Sequence, residues 1–409
     1  MENLKTEQTI NRTDTPQRER LLGLLAAATF LIFFQAYMVA PLIPRLAAVF
    51  DVSIEKAGFI VPAYLIPYGI ATLFYGLLSD RIGRQPIMLA SFAAFVILTG
   101  ITGLVRSANE MTLLRILTGL GASGVVPLAL ALVGDLYPFR ERGRPLGWLF
   151  GAMAGGMAVG STVGVILEPF ISWRGLFFGT SVLGVVVLLA LLSVKSLIGG
   201  AANTGNGIKP SLGAILSGYK SLLSTARGAR TYLYVFINAV FHSGIFTWLG
   251  FYFAQRYKLG EIGIGLALLG YGIPGFLLGP VIGRLADRFG RNRLIPIGLL
   301  VAGVSAAALA LDLPLLAAAL LVTLLSLGYD LTQPLLAGIV TDLGPQRGQA
   351  MGLNVFVLFV GFGIGSLVFS HALGFGINAA LVAFGVLALI AGAVGIRLFY
   401  SEVSSPKPA

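Results

Sequence analysis

Gly76–Pro86 reads GLLSDRIGRQP, and Gly283–Arg291 reads GRLADRFGR. Each string concentrates an aspartate and arginines in a chain that elsewhere runs from Leu21 to Ile43 without a single charge. A constant shift of 207 residues superposes the two, and it also pairs Tyr64 with Tyr271, Ile66 with Ile273 and Pro67 with Pro274. Nine identities fall in that 21-residue window. Farther on, DLYPFR at Asp135–Arg140 matches DLGPQR at Asp342–Arg347 with the same shift. The chain is a duplication.

The composition says in which solvent the duplication sits. Of 409 residues, 56% are hydrophobic and 11% charged, with 54 glycines. A water-soluble domain cannot hide that much apolar surface, so the solvent is lipid. Twelve segments read as spans, approximately 21–44, 57–79, 86–105, 111–135, 145–168, 175–194, 231–254, 262–283, 294–311, 314–341, 349–372 and 376–396. Each is about 20 residues, the length with which a helix crosses hydrocarbon. The expected fold class is therefore all-α integral membrane, with twelve transmembrane helices in two six-helix repeats. An even number of spans per half makes the repeats parallel, about an axis along the membrane normal. The expected layout is a tail at 1–20, a first half at 21–194, a linker at 195–230, a second half at 231–396 and a tail at 397–409. Within the linker, GGAANTGNGIKPS has the character of a flexible connector.

The net charge of +11 is not spread evenly. With the N-terminus inside, 21 of the 28 Lys and Arg fall on inside segments, 6 outside, and Arg115 lies within a span. The acids divide 10 inside and 6 outside, with Asp330 in a span. The positive-inside rule then sets both termini in the cytoplasm and the protein in the plasma (inner) membrane as a multi-pass chain. The basic face suits anionic lipid headgroups, and nucleic acid is not expected. The polar first twenty residues carry no cleavable signal pattern. Zero cysteines and two histidines leave no disulfide framework and little for a metal, and no nucleotide loop or nucleophile–base signature is visible. No enzyme activity, cofactor or metal is expected, and a monomer is.

Two sets of six spans, with G-x-L-x-D-R-x-G-R after the second and the eighth, resemble the major facilitator superfamily over essentially the whole chain. Physically, Gly76 and Gly283 let neighbouring helices approach closely. Gly83 and Gly290 permit the positive φ of a tight turn. Asp80 and Asp287 can face the positive N-terminus of a helix. The resemblance puts Asp80 near Gln346–Gln349 at the start of the eleventh span, and Asp287 near Arg142–Pro145 at the start of the fifth. Such contacts exist only with the cytoplasmic side closed and would latch one of two states. Arg81, Arg84, Arg288 and Arg291 complete the motif. The plainer reading of all these charges is positive-inside anchoring.

Three further features lie within spans. Arg115-Ile-Leu-Thr-Gly119 fits the family's R-x-x-x-G pattern. Arg115 is near enough to the outer end to snorkel, or else it lowers the proton affinity of an acid or holds an anionic group. Gly156, Gly160 and Gly164 of the fifth span permit close helix packing. They resemble an antiporter signature, though Ser161 stands where that signature has proline and Val165 where it has its last glycine. Asp330, in LLSLGYDLTQP, lies within about one turn of the midplane, where a carboxylate must pair, protonate or face water. His242 is at similar depth in the seventh span. By resemblance, spans one, four, seven and ten line the cavity, which would bring His242 and Asp330 to a shared proton site, with Asn238 a neighbour able to bond His242. The first span lacks the acid of many multidrug exporters in the family and offers Gln35 and Tyr37.

The reading is a secondary transporter working by alternating access, resembling the twelve-span drug or sugar efflux (proton antiporter) branch. Its expected partners are a small apolar or amphipathic substrate, protons and membrane lipid. The alternatives are a facilitator or importer of sugars or metabolites without a proton step, or a non-transporting membrane sensor.

Overall fold

The computed structural model describes residues 15–137, 143–195, 212–274, 288–343 and 347–402, and 278, 281, 282 and 285 between them. It is all-helical, with no strand among the described residues. Nine helices among them are long and apolar enough to cross a membrane. One of the nine runs from Arg144 to Ser193 and contains the expected fifth and sixth spans, joined at Ser172, whose φ of 62° breaks the helical path. The ninth span is the helix Arg291–Ala308. The eighth begins as Glu261–Ala267 and continues into partly described positions.

Local chemistry explains the ends. Ser53, Ser107 and Thr225 each cap a helix by accepting a backbone N–H, from Lys56, Glu110 and Gly228. In the linker, Leu212–Ser224 is helical, and Tyr219 and Leu222 pack on Tyr232, Val340, Ala350 and Leu353 of the second half. The seventh-span helix starts at Ala226.

The duplication is visible in the backbone as well as in the sequence. Gly83 and Gly290, 207 residues apart, have φ of 108° and 84° at the turn after the second and eighth spans. Asp51 and Lys258, again 207 apart, have φ of 51° and 55° where the first and seventh spans end. The register found in the charged strings therefore extends to spans one and seven, and it equates Gln35 with His242.

The halves meet from the middle of the spans toward the face opposite the chain ends. A Cβ on Gly250 would lie 2.8 Å from the Pro41 carbonyl oxygen, and one on Gly69 would lie 3.0 Å from Phe359. Tyr68 stacks on Phe359 at 4.4 Å and Tyr37 leans on Phe246 at 5.4 Å. At Gly76 no described atom lies within 4 Å of the Cβ position. Gly283 and Asp287 lie outside the described residues, as do the side chains of Asp80 and Arg81.

Candidate functional site

Two spans are broken toward the face opposite the chain ends, and the breaks meet at Arg115. The first-span helix stops at Tyr37 and resumes at Ile43 after a short 3-10 turn. The second span breaks between Gly58 and Pro62. Such breaks leave helix-terminal carbonyls without backbone partners. Arg115 supplies the donors. Its Nε donates to the Ile60 carbonyl at 3.1 Å, Nη1 to the Gln35 side-chain oxygen at 2.8 Å and carbonyl at 3.4 Å, and Nη2 to the Ala36 carbonyl at 3.3 Å. The guanidinium also sits over the Tyr64 ring, 4.3 Å from its centroid. Arg115 is 0% exposed. It does not snorkel, because the two breaks deliver enough carbonyl oxygen to hold a cation at the negative ends of helices.

The eighth span breaks after Ala267, with Gly272 at φ +82°. Gly272 N–H donates to Ser326 Oγ at 3.0 Å, and that hydroxyl is 3.4 Å from Asp330 Oδ2. Beside it the Tyr271 hydroxyl bonds the His242 imidazole, 3.1 Å from Nδ1 and closer to Nε2. His242 stacks on Tyr329 at 3.7 Å. The Tyr271 ring packs on Phe246 at 4.4 Å, and Phe246 in turn leans on Tyr37. His242 and Phe246 thus meet one tyrosine, Tyr271, while Arg115, bonded to Gln35, lies over another, Tyr64. Asn238 does not serve His242: its Nδ2 donates to Gln333 Oε1 at 3.3 Å.

Aromatic rings close a loop through both halves. Phe33 contacts Tyr37, Tyr37 contacts Phe246, Phe246 contacts His242, and His242 contacts Tyr329. The circuit returns through Phe362 and Phe359 to Phe33. Each such pair adds about 0.5–1.5 kcal/mol beyond area burial. The centre is thus apolar on its ring faces and polar at a few hydroxyl, imidazole and carboxyl groups.

Gly156, Gly160 and Gly164 seat the fifth span on the first: their Cβ positions lie 2.6 Å from the Phe30 oxygen, 2.5 Å from the Phe34 oxygen and 2.9 Å from Met38 Cβ. Among the motif arginines, Arg291 pairs with Asp342 at 3.5 Å within its own half, and Arg288 lies over the Phe289 ring. Arg84 has a hydrogen-bond, ionic or ring partner. Of the proposed docking ends, Gln346 and Arg142 lie outside the described residues, as do the side chains of Arg347 and Gly348.

Tyr64 and Tyr271 are the functional residues that motif reading passed over. The signal was present, since both repeats keep tyrosine at this position. Their different uses follow from the neighbours. Val322, buried, occupies the place equivalent to Arg115, so His242 meets no guanidinium and reaches the Tyr271 hydroxyl directly.

The major facilitator superfamily model matches residues 25–264 and again 231–409. An uncharacterized MFS-type transporter of Bacillus subtilis, YceJ, is 27% identical over 355 residues, covering 85% of this chain and 87% of that one. Citrate exporter 1 of Aspergillus niger is 23% identical over 266 residues, 58% of this chain and 51% of the exporter. Among solved structures, a bacterial homolog of the human lysosomal transporter Spinster, in an inward-facing and unoccupied conformation, superposes with a TM-score of 0.72. That match has 17% identity and covers 96% of this chain and 99% of the homolog. With its duplicated motif, its all-helical halves and a family match in each of them, the chain belongs to the major facilitator superfamily of membrane transporters.

Proposed function

We propose that the protein exports small apolar or amphipathic molecules in exchange for protons, by alternating access. The observation that carries the reading is Asp330, the one acid set well inside a span, sharing the Tyr271–Gly272 break with His242. A carboxylate and an imidazole on the two sides of one helix break can load and release a proton in turn. One charge moved through 100 mV is worth about 2.3 kcal/mol, enough to bias a cycle. The aromatic loop supports an amphipathic substrate, and kinship with a citrate exporter supports the outward direction. Both chain ends then face the cytoplasm, with the basic segments against anionic lipid of the inner membrane. Asp80 and Asp287 latch the cytoplasmic side when it closes, and a single chain suffices.

The test is accumulation of a panel of aromatic dyes and of sugars by purified protein in lipid vesicles with an acidic lumen. Uphill uptake that collapses with a protonophore is expected. Equal flux with and without the gradient would sink proton coupling and leave a facilitator.

A further inference from the structure

We propose that Tyr271 is a positioning residue of the proton site: its hydroxyl fixes the His242 imidazole, and its ring, through Phe246, joins the site to Tyr37 of the other half. This rests on the proton-coupled reading above and adds the element that joins the two halves.

The break in the eighth span presents two consecutive residues to different partners. Tyr271, 2% exposed, turns its phenol onto the imidazole, while Gly272 gives its N–H to Ser326, the hydroxyl next to Asp330. A broken helix at membrane depth leaves backbone groups that must be satisfied locally, and here Ser326 satisfies one of them. The positive φ of Gly272 is what lets one dipeptide serve both groups. A Cβ at Gly272 would lie 2.8 Å from Ala158 Cβ in the fifth span, so the same turn also abuts the first half.

The groups of the site come from three elements: His242 and Phe246 of the seventh span touch Tyr271, Tyr329 and Asp330 of the tenth respectively stack on His242 and meet Ser326, and Tyr37 of the first packs on Phe246. Tyr37 alone belongs to the other half. Rotation of the halves therefore changes the Tyr37–Phe246 contact and leaves Phe246, Tyr271 and His242 within one half, so the site senses which way the protein faces. The repeat provides an internal contrast. At Tyr64 the ring face is used, under Arg115, and its buried hydroxyl has no hydrogen-bond partner among the described residues. At Tyr271 the hydroxyl is used.

The chain has two histidines, so His371→Gln leaves His242 as the only imidazole. In that background, nitrogen-15 spectra of the full-length protein in detergent report the tautomer and titration of His242. Tyr271→Phe keeps the ring and removes one oxygen. It is expected to change the tautomer ratio and move the titration midpoint by about 1 pH unit, a tenfold change in proton affinity. The pH profile of transport should move by the same amount. Identical spectra in the two proteins, or a slower rate at an unchanged pH profile, would overturn the assignment. Should Tyr271→Phe fail to fold, Phe246→Leu, which takes away the ring packed on both Tyr271 and His242, is to shift the spectra by a smaller amount, and no shift there overturns it equally. If the wild type shows no gradient-driven transport, proton coupling fails, and the imidazole spectra still decide whether Tyr271 positions His242.

Discussion

The same three helical positions surround the centre in each half and are filled differently. In the first half they are Gln35, Tyr64 and Arg115; in the second, 207 residues on, they are His242, Tyr271 and Val322. Arginine keeps its charge at any physiological pH, and its planar fork spans several acceptors at once. The first-half trio is therefore a fixed brace across two helix breaks. Removing the cation at position 322 and placing an imidazole at 242, with Asp330 nearby, turns the equivalent spot into a group that can change charge. On the proposed function, duplication supplies one half that holds its shape and one that responds to a proton.

The comparison breaks most decisively at Asp330. Asp330→Asn mimics the protonated state and is expected to lower gradient-driven accumulation in vesicles by about 100-fold or more, while downhill exchange continues. An estimate of that size corresponds to roughly 2.7 kcal/mol. Accumulation at the wild-type level would place the coupling proton elsewhere.

Arg115→Ala tests the other side. It strands the carbonyls of Gln35, Ala36 and Ile60 and the Gln35 amide, all now served by one guanidinium. We expect a loss of about 2–5 kcal/mol in unfolding stability, read by thermal melting in detergent. Arg115→Lys should recover less than half of it, since an ammonium cannot fork between breaks. A variant that melts like wild type yet loses its pH dependence would reverse the assignment and make the first half the responsive one.

The ends of the halves carry a third contrast. Arg20 donates to the neutral Ser193 hydroxyl at 3.3 Å, whereas Arg227, its repeat equivalent, forks onto Glu402 at 2.7 and 2.8 Å, joined by Arg230. The hydrogen bond from Arg227 holds the Glu402 carboxyl below its usual range, against the opposing pull of burial. Since the folded value lies below the unfolded one, this stabilisation is complete above the ordinary glutamate range, about pH 4.3, and is lost as pH falls through the folded value. Hydrogen exchange at the start of the seventh span should speed up by roughly tenfold in Glu402→Gln at neutral pH. Acid should bring the wild type to the same rate, and the first span should show no such change.

How much of this was legible in the sequence depends on whether a feature is periodic or requires distant atoms to meet. The duplicated strings gave the two halves, and Gly83 and Gly290 take the positive φ expected of them. The breaks at Tyr37–Ile43 and Gly58–Pro62 are invisible to hydropathy, which averages over them. An arginine four residues from a span end therefore looked free to snorkel, when the carbonyls that hold it belong to two other helices. His242 and Asp330 were readable as rare mid-depth titratable groups. Their connection was not, because it runs through a phenol and a backbone turn on a third helix.

The smallest expected effect concerns the repeated strings themselves. Arg291 Nη1 lies 3.5 Å from Asp342 Oδ2, with the two side chains 37% and 50% exposed, and its guanidinium passes 3.2 Å from the Cβ position of Gly338. It joins the two duplicated motifs within one half, as a brace between the ninth and tenth spans. Water and salt screen a pair this open, so a double-mutant cycle of Arg291→Gln and Asp342→Asn should give a coupling of about 0.2–1 kcal/mol. Raising the salt from about 0.1 M to 1 M shortens the screening length from about 10 Å to 3 Å and should remove most of it. Arg84 and Asp135 hold the same positions in the first repeat, and the same cycle there compares the halves directly. If both pairs are anchors of the positive face, the two cycles agree and transport is barely altered. A coupling above about 2 kcal/mol at one pair, together with slowed transport, would mean that this arginine changes partners during the cycle and belongs to the latch with Asp80 and Asp287.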